Sequence, residues 1–328
     1  GLIGAGLFAR GTFLPALNKF REVSFEGVAT SHGLSGKHIA DKFKFKYCTT
    51  DYKELLADPT INLVFILTRH NSHARMVCEA LKSGKAVYVE KPLCINEEQL
   101  REIISTYNDS RITYNSFLMV GFNRRFAPLT RKCIDFIGQN RKSSVVQIRC
   151  NAGFVPPDSW VHKREEGGGR IIGEVCHFVD LAQAITDGLP KKVFATSIED
   201  AHGLRDNLTI SMQMDNGAVA GITYASNGDK SFSREEVQVF CGGSVCVIDN
   251  FKNIQFVSAG KTKKEKSLEV DRGYVEEIRI TIDAMKNGKP SPLDFKSIVA
   301  TTIATFAIEK SIIKVEAVDI NLKEWGIL

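Results

Sequence analysis

The sequence predicts an α/β protein in two parts: a doubly wound parallel sheet first, then an α+β part on a large, mostly antiparallel sheet. Three observations predict it. A glycine turn directly follows a short apolar run at Gly1–Gly6. Continuous apolar runs then alternate with segments of helical spacing over the first third of the chain. Beyond residue 122 the pattern changes to period-two alternation punctuated by hairpin signals.

The opening stretch GLIGAGLFARGTFLPAL contains Gly4-x-Gly6-x-x-Ala9 and runs on into helical apolar spacing. Each small residue has a task there. Gly4 makes the tight turn, Gly6 lets backbone approach a pyrophosphate, and Ala9 keeps the helix close to its strand. The N–H groups that open the helix, at Leu7, Phe8 and Ala9, would meet the phosphates. This is the start of a dinucleotide-binding Rossmann unit, expected over residues 1–121. Only Leu2 and Ile3 precede the turn proper, whereas a strand ordinarily has about five or six residues. The first strand reads as cut short, as if residues or a whole upstream module came before it.

The next segments continue the unit. VSFEGVATS reads as a strand, LSGKHIADKF as a helix, INLVFILT as a buried strand, SHARMVCEALKSG as a helix with a glycine stop, and AVYVEKPL as a strand. Ligands of such a sheet are expected at the carboxyl ends of its strands. The second strand ends in Thr30-Ser31-His32, without the acid that would bond the ribose 2′-hydroxyl of NAD. Ser31, His32 and the nearby Lys37 remove repulsion against a 2′-phosphate, so the cofactor is NAD or NADP with a lean to NADP. Glu90-Lys91-Pro92 ends a strand in a lysine held before proline, which aims an ammonium out of the strand end, beside the nicotinamide.

Residues 122–328 are expected to form a second, α+β domain that supplies the substrate side. The helix LTRKCIDFIGQ precedes the stretch EEGGGRIIGEVCHFVD, in which a glycine triplet introduces an apolar helix carrying His177. Then DNLTISMQM, AVAGITYAS, REEVQVF, VCVIDN and IQFVSAG alternate as strands, with Asp215-Asn216-Gly217 as a hairpin turn. KTKKEK reads as a solvated turn or strand end, and FKSIVATTIATFAIEKSII as a last helix packing back on the core. Trp160 in PPDSWVH suits a pocket wall for a sugar face or an ordinary loop anchor. His162 and Arg170 are weaker candidates of that kind.

Composition bounds the partners. The chain has 328 residues, 43% hydrophobic and 25% charged, with net charge +5, the profile of an ordinary globular protein. The basic runs lack interleaved aromatics, which argues against a nucleic-acid partner, and no apolar run is long enough for a membrane span. The 8 cysteines form no CxxC pair and no cluster of zinc spacing, so no metal site is expected and reduced thiols point to the cytoplasm.

GAGLFA, LTRHNSHARM, EKPL, VGFNRRFAP and GGGRIIGEVCHFVD, in this order, resemble the Gfo/Idh/MocA family of sugar and cyclitol dehydrogenases over essentially the whole chain. NAGFVPPDSWVH and GGGRIIGEVCHF further resemble the C-terminal half of bacterial two-module oxidoreductases whose upstream module is zinc alcohol dehydrogenase-like. The resemblance implies that Lys91 contacts substrate and nicotinamide and that His177 is the general acid/base. It implies cofactor contacts from the TRHNSH loop (Thr68, Arg69, His70, His73), from Glu90 and Pro92, and from Asn123 and Arg124. It places Arg125 near the substrate pocket, where Trp160 and Arg170 are candidates from their own residue types, and it implies a homodimer or higher oligomer through the open sheet face. Arg69 stands where the family has proline.

One departure concerns His177 directly. The family's Asp-x-Gly-x-His has Gly173 at the aspartate and Val175 at the glycine, while Glu174 supplies an acid between them. On an α-helix, Glu174 would share the His177 face from the opposite flank. It is either a repositioned catalytic carboxylate, one that orients His177 or contacts a sugar hydroxyl, or a helix-start acid favoured by the dipole. The expected activity is NAD(P)-dependent hydride transfer at a secondary alcohol or carbonyl of a sugar, cyclitol or derivative. The alternatives are a non-catalytic NAD(P)-binding sensor or partner domain, and an NAD-dependent glycosidase of the same fold.

Overall fold

The computed structural model describes residues 1–109, 116–199 and 202–327. The chain forms two compact units: Gly1–Gly121 with Tyr274–Phe295, and Phe122–Gly273 with Lys296–Leu328. The segment from Tyr274 to Phe295 thus belongs with the first unit rather than with everything after residue 122. Helix α8 (Tyr274–Lys286) buries Glu277, Ile278 and Thr281 there, and no local pattern in the sequence marks that return.

The first unit holds six strands: β1 (Leu2–Ile3), β2 (Gly27–Ala29), β3 (Tyr47–Thr49), β4 (Leu63–Ile66), β5 (Ala86–Val89) and β6 (Leu118–Val120). They run in the order β3-β2-β1-β4-β5-β6, every pair parallel. Parallel strands buried on both faces must be apolar throughout, and Val64, Ile66, Val87, Val89 and Val120 are fully enclosed. Helices α1 (Leu14–Leu17), α2 (Gly33–Phe43), α3 (Tyr52–Ala57), α4 (His73–Lys82) and α5 (Glu97–Tyr107) intervene. Asp51 caps α3 by accepting from Lys53 N–H, and Asn96 caps α5 by accepting from Gln99 N–H, which satisfies amides the helices cannot.

The second unit is a nine-stranded sheet: β7 (Val145–Asn151), β8 (Pro190–Ser197), β9 (Leu208–Met214), β10 (Val219–Ala225), β11 (Glu235–Cys241), β12 (Ser244–Asp249), β13 (Asn253–Ser258), β14 (Lys261–Lys266) and β15 (Val318–Asp319). The order is β14-β13-β12-β11-β7-β10-β9-β8-β15, antiparallel except for the β7–β10 pair. KTKKEK is a full edge strand paired with β13, not a turn. Its lysines keep that edge in water, which discourages pairing with another chain. Strand β9 shows the pleat plainly: Leu208, Ile210, Met212 and Met214 are buried while Thr209, Ser211 and Gln213 are exposed. Helices α6 (Pro128–Ile137), α7 (Cys176–Thr186) and α9 (Phe295–Lys314) complete the unit. The last is fixed to it by the Ser311 hydroxyl, which accepts from Ala195 N–H and donates to the Glu316 carbonyl. No helix among the described residues is long and apolar enough to cross a membrane.

Candidate active site

In the first unit the glycine turn lies at the carboxyl end of β1. Gly4 has φ +90°, and a Cβ there would lie 2.7 Å from the Leu67 carbonyl oxygen, so only glycine fits. Its N–H donates to Ala29 O at 2.9 Å, which ties the turn to β2. A Cβ at Gly6 would meet nothing within 4 Å. Behind it, Ala9 is buried and opens a π-helical turn, Ala9–Phe13, that leads into α1. Phe8 packs its ring against Phe13 and Tyr274, and Leu7 is 85% exposed. An open glycine before the first amides of a helix is the space a pyrophosphate needs. The residues present therefore fit a dinucleotide: the Gly4–Ala9 turn would hold its phosphates and the end of β2 its ribose. That end, Ser31 and His32, is exposed and carries no carboxylate.

The loop after β4 is organised around His73. This ring is fully enclosed, with Nδ1 2.7 Å from Pro92 O and Nε2 3.2 Å from Thr68 O. Burial pushes its pKa down, while each ring nitrogen faces a backbone carbonyl. The resemblance places His73 at the cofactor. Its side chain ties the Thr68 loop to the Lys91–Pro92 loop from within. Thr68 shares a 2.6 Å hydrogen bond with Ser72, and His70 is buried beside His73 at 5.8 Å between ring centroids, while Arg69 is exposed.

At the end of β5, Glu90 is also buried. Its Oε2 accepts from Lys91 N–H at 3.2 Å and its Oε1 lies 3.5 Å from the Tyr88 hydroxyl, which donates to Glu277 at 3.0 Å. A Cβ at Gly121 would lie 2.7 Å from that Oε1, so a glycine makes room for the carboxylate. Glu90 thus shapes the backbone of Lys91 instead of reaching outward. Lys91 itself is half-buried, and its bond to Pro92 is cis.

In the second unit the NRRF segment is spent on internal partners. The Asn123 amide donates to Arg272 O at 2.8 Å. Arg124 forks onto Glu235 with two 2.9 Å bonds and lies over the Phe178 ring. Burial opposes ionisation of Glu235, yet Arg124, Arg272 and Arg234 outweigh it and hold its pKa below the usual carboxylate range. Arg125 forks onto Asp180 at 2.9 and 2.5 Å. Expected at cofactor and substrate, these three side chains make internal bonds within the second unit. Their partners lie 149, 111 and 55 residues away, so no local signal shows them.

The glycine triplet answers to the loop before it. A Cβ at Gly167 would lie 2.3 Å from Val161 O, and Gly168 and Gly169 have φ +75° and +84°. Backbone crowding at Gly167 and positive φ at Gly168 and Gly169 account for the three without a ligand. The next helical segment passes through a π-turn, Ile171–Val175, before α7, so the α-helical register assumed between Glu174 and His177 does not apply. Arg170 is 2% exposed and forks onto Glu174 at 3.1 and 3.2 Å. The Tyr224 hydroxyl donates to the same carboxylate at 2.6 Å. Arg170 is therefore an internal partner of Glu174. His177, second residue of α7, is 6% exposed, and the Phe122 ring meets it edge-on at 6.4 Å. Trp160 is half-buried in the 152–169 loop, which closes on itself through Lys163 N–H to Trp160 O at 3.2 Å. Among the described residues no group of three or more His, Cys, Asp or Glu side chains is arranged for a metal.

Comparisons agree with this architecture. Residues 1–116 match the model of the oxidoreductase family with an NAD-binding Rossmann fold, and residues 135–242 match the GFO/IDH/MocA C-terminal domain. The chain is 25% identical over 274 residues to an uncharacterized oxidoreductase of Bacillus subtilis strain 168, YrbE, covering 81% of this chain and 78% of that one. It is 29% identical over 233 residues to inositol 2-dehydrogenase of Rhizobium meliloti strain 1021, covering 68% and 67%. A levoglucosan dehydrogenase solved with NADH and levoglucosan superposes with TM-score 0.85 at 19% identity, over 98% of each chain. With a Rossmann unit carrying the glycine turn and a second unit built on the family's open sheet, this chain belongs to the Gfo/Idh/MocA family of NAD(P)-dependent oxidoreductases.

Proposed function

We propose that the protein catalyses reversible hydride transfer between NAD(P) and a secondary alcohol or carbonyl of a sugar, cyclitol or sugar derivative. The nicotinamide supplies the hydride acceptor or donor at its C4. The chain supplies the rest. His177 takes the hydroxyl proton during oxidation and returns it during reduction, a contribution typically worth about 10²–10⁴-fold. The Lys91 ammonium stabilises the charge that develops on the reacting oxygen. The observation that carries this reading is the turn at Gly4–Ala9, closed at Gly4 and open at Gly6, in a chain whose relatives include an inositol dehydrogenase.

The acid-free end of β2 at Ser31 and His32 supports NADP over NAD. The exposed sheet face, with Val145, Phe194, Val219 and Phe240 each 39–42% exposed, supports a homodimer. Work in the cytoplasm, where free cysteines stay reduced, completes the reading. Fluorescence titration with NADH and with NADPH, side by side, tests it. Tight binding, strongest for NADPH, followed by turnover within a panel of cyclitols and sugars, is expected. Binding of neither nucleotide removes the proposal.

A further inference from the structure

The short helix ahead of His177 is wound as a π-turn over Ile171–Val175. Such a turn holds one residue more than an α-turn, is rarely adopted, and clusters at functional sites. Something must hold it. Relaxation to α geometry would rotate the residues after the turn by about 100° relative to those before it, and His177 comes two residues after the turn.

The side chains around the turn form a closed clamp. Arg170, at its start, donates from Nε and Nη2 to the two oxygens of Glu174, at 3.1 and 3.2 Å. Its Nη1 donates to Gly153 O at 2.8 Å and lies 3.5 Å from the Asp206 carboxylate. Tyr224, on β10, donates its hydroxyl to Glu174 Oε2 at 2.6 Å and receives the Arg170 guanidinium over its ring at 5.1 Å. His162 faces Asp206 at 3.8 Å and Val155 O at 3.3 Å. The turn is thereby tied to the sheet, to the start of the 152–169 loop and to the segment at Asp206. Arg170 and Tyr224 are 2% and 0% exposed, enclosed too far for either to serve as a ligand contact.

We propose that Arg170 and Tyr224, acting through the Glu174 carboxylate, are positioning residues that hold the π-turn and thereby set the place of the His177 imidazole. This rests on the reading of His177 as the acid and base of the reaction. Glu174 takes an orienting role toward His177 through the turn: its carboxylate is the hub of the clamp. Tyr224 contributes only a hydroxyl, so Tyr224→Phe removes one bond and leaves the ring that packs on Arg170.

The test has two readouts on the full chain. In protein labelled with ¹³C at histidine Cε1, the His177 signal is assigned by its loss in His177→Ala. Tyr224→Phe and Glu174→Gln should each move it, the double variant should not sum the two shifts, and the His73 signal should stay in place. In steady-state kinetics with NADH or NADPH, Tyr224→Phe should lower kcat about ten- to a hundredfold, the loss expected of a displaced catalytic group, with KM for the nucleotide unchanged. In the His177→Ala background the same substitution should cost less than about twofold, because residues acting as one unit are not additive. A His177 signal that stays in place in folded Tyr224→Phe and Glu174→Gln variants overturns the inference, and so does an equal kcat loss in both backgrounds. Full turnover in His177→Ala refutes the acid/base role itself, whereas the spectroscopic shift still reports on the clamp.

Discussion

His73 illustrates how a residue with a chemical reputation can be a structural one. Its enclosed ring lies between two carbonyls, and burial pushes its pKa down with the Lys91 ammonium adding to the effect. The folded pKa lies below the unfolded value of about 6.5. The unfolded chain therefore binds the proton first, and this contribution to stability is whole above pH 6.5 and lost as pH falls toward the folded pKa. Denaturant unfolding at pH 7.5 and 5.5 should show a loss of stability in the wild type that His73→Gln largely lacks; equal losses would contradict the assignment. Arg125 gives a second test at this scale. Its partner Asp180 has a side chain only 1% exposed, and burial pushes that carboxyl up while Arg125 pulls it down. Arg125→Ala strands the acid, and urea unfolding should register a loss of about 3–5 kcal/mol. The residue types at these positions are legible in the sequence, but their employment is not. A fork such as Arg124 on Glu235 joins residues 111 apart, and nothing local to either marks the other.

Among the elements, those with strong periodicity are the readable ones. The apolar runs of β4 and β5 and the alternation of β9 need only their own residues to declare a strand. The π-turn at Ile171–Val175 cannot be read that way, because its stabilising partners, Tyr224 on β10 and Gly153 in a loop, come from elsewhere in the second unit. The glycine triplet is visible in the sequence, and its cause is not. Gly167 lacks room for a Cβ against Val161 O, whereas Gly169 has room but φ +84°. Gly169→Ala should thus cost about 1–2 kcal/mol of conformational strain, and Gly167→Ala more, because backbone atoms must move. Thermal unfolding of the two variants compares them directly, and a milder effect at Gly167 would contradict this account. Edge strand β14 looks like a turn in isolation because of its lysines; pairing with β13 makes them a strand, and their charge guards its free edge.

For the whole molecule, two units emerge where the pattern changes from continuous apolar runs to alternation. The return of Tyr274–Phe295 to the first unit escapes such a reading, since α8 has the amphipathic pattern of any helix. The dinucleotide turn is the most legible part of the candidate site because its requirements are local: a positive φ at Gly4 and empty space at Gly6. Its preference should follow the acid-free end of β2. Ser31→Asp should shift relative affinity from NADPH toward NADH about tenfold or more, since a carboxylate there repels a 2′-phosphate and bonds a 2′-hydroxyl; paired titrations measure it. The central claim is that His177 moves the proton in a reaction run on bound NAD(P). The measurement that tests it most directly is kcat and nucleotide Kd of His177→Ala beside the wild type. The account predicts a kcat loss of about 10²–10⁴-fold with Kd nearly unchanged. Undiminished turnover in that variant would contradict it.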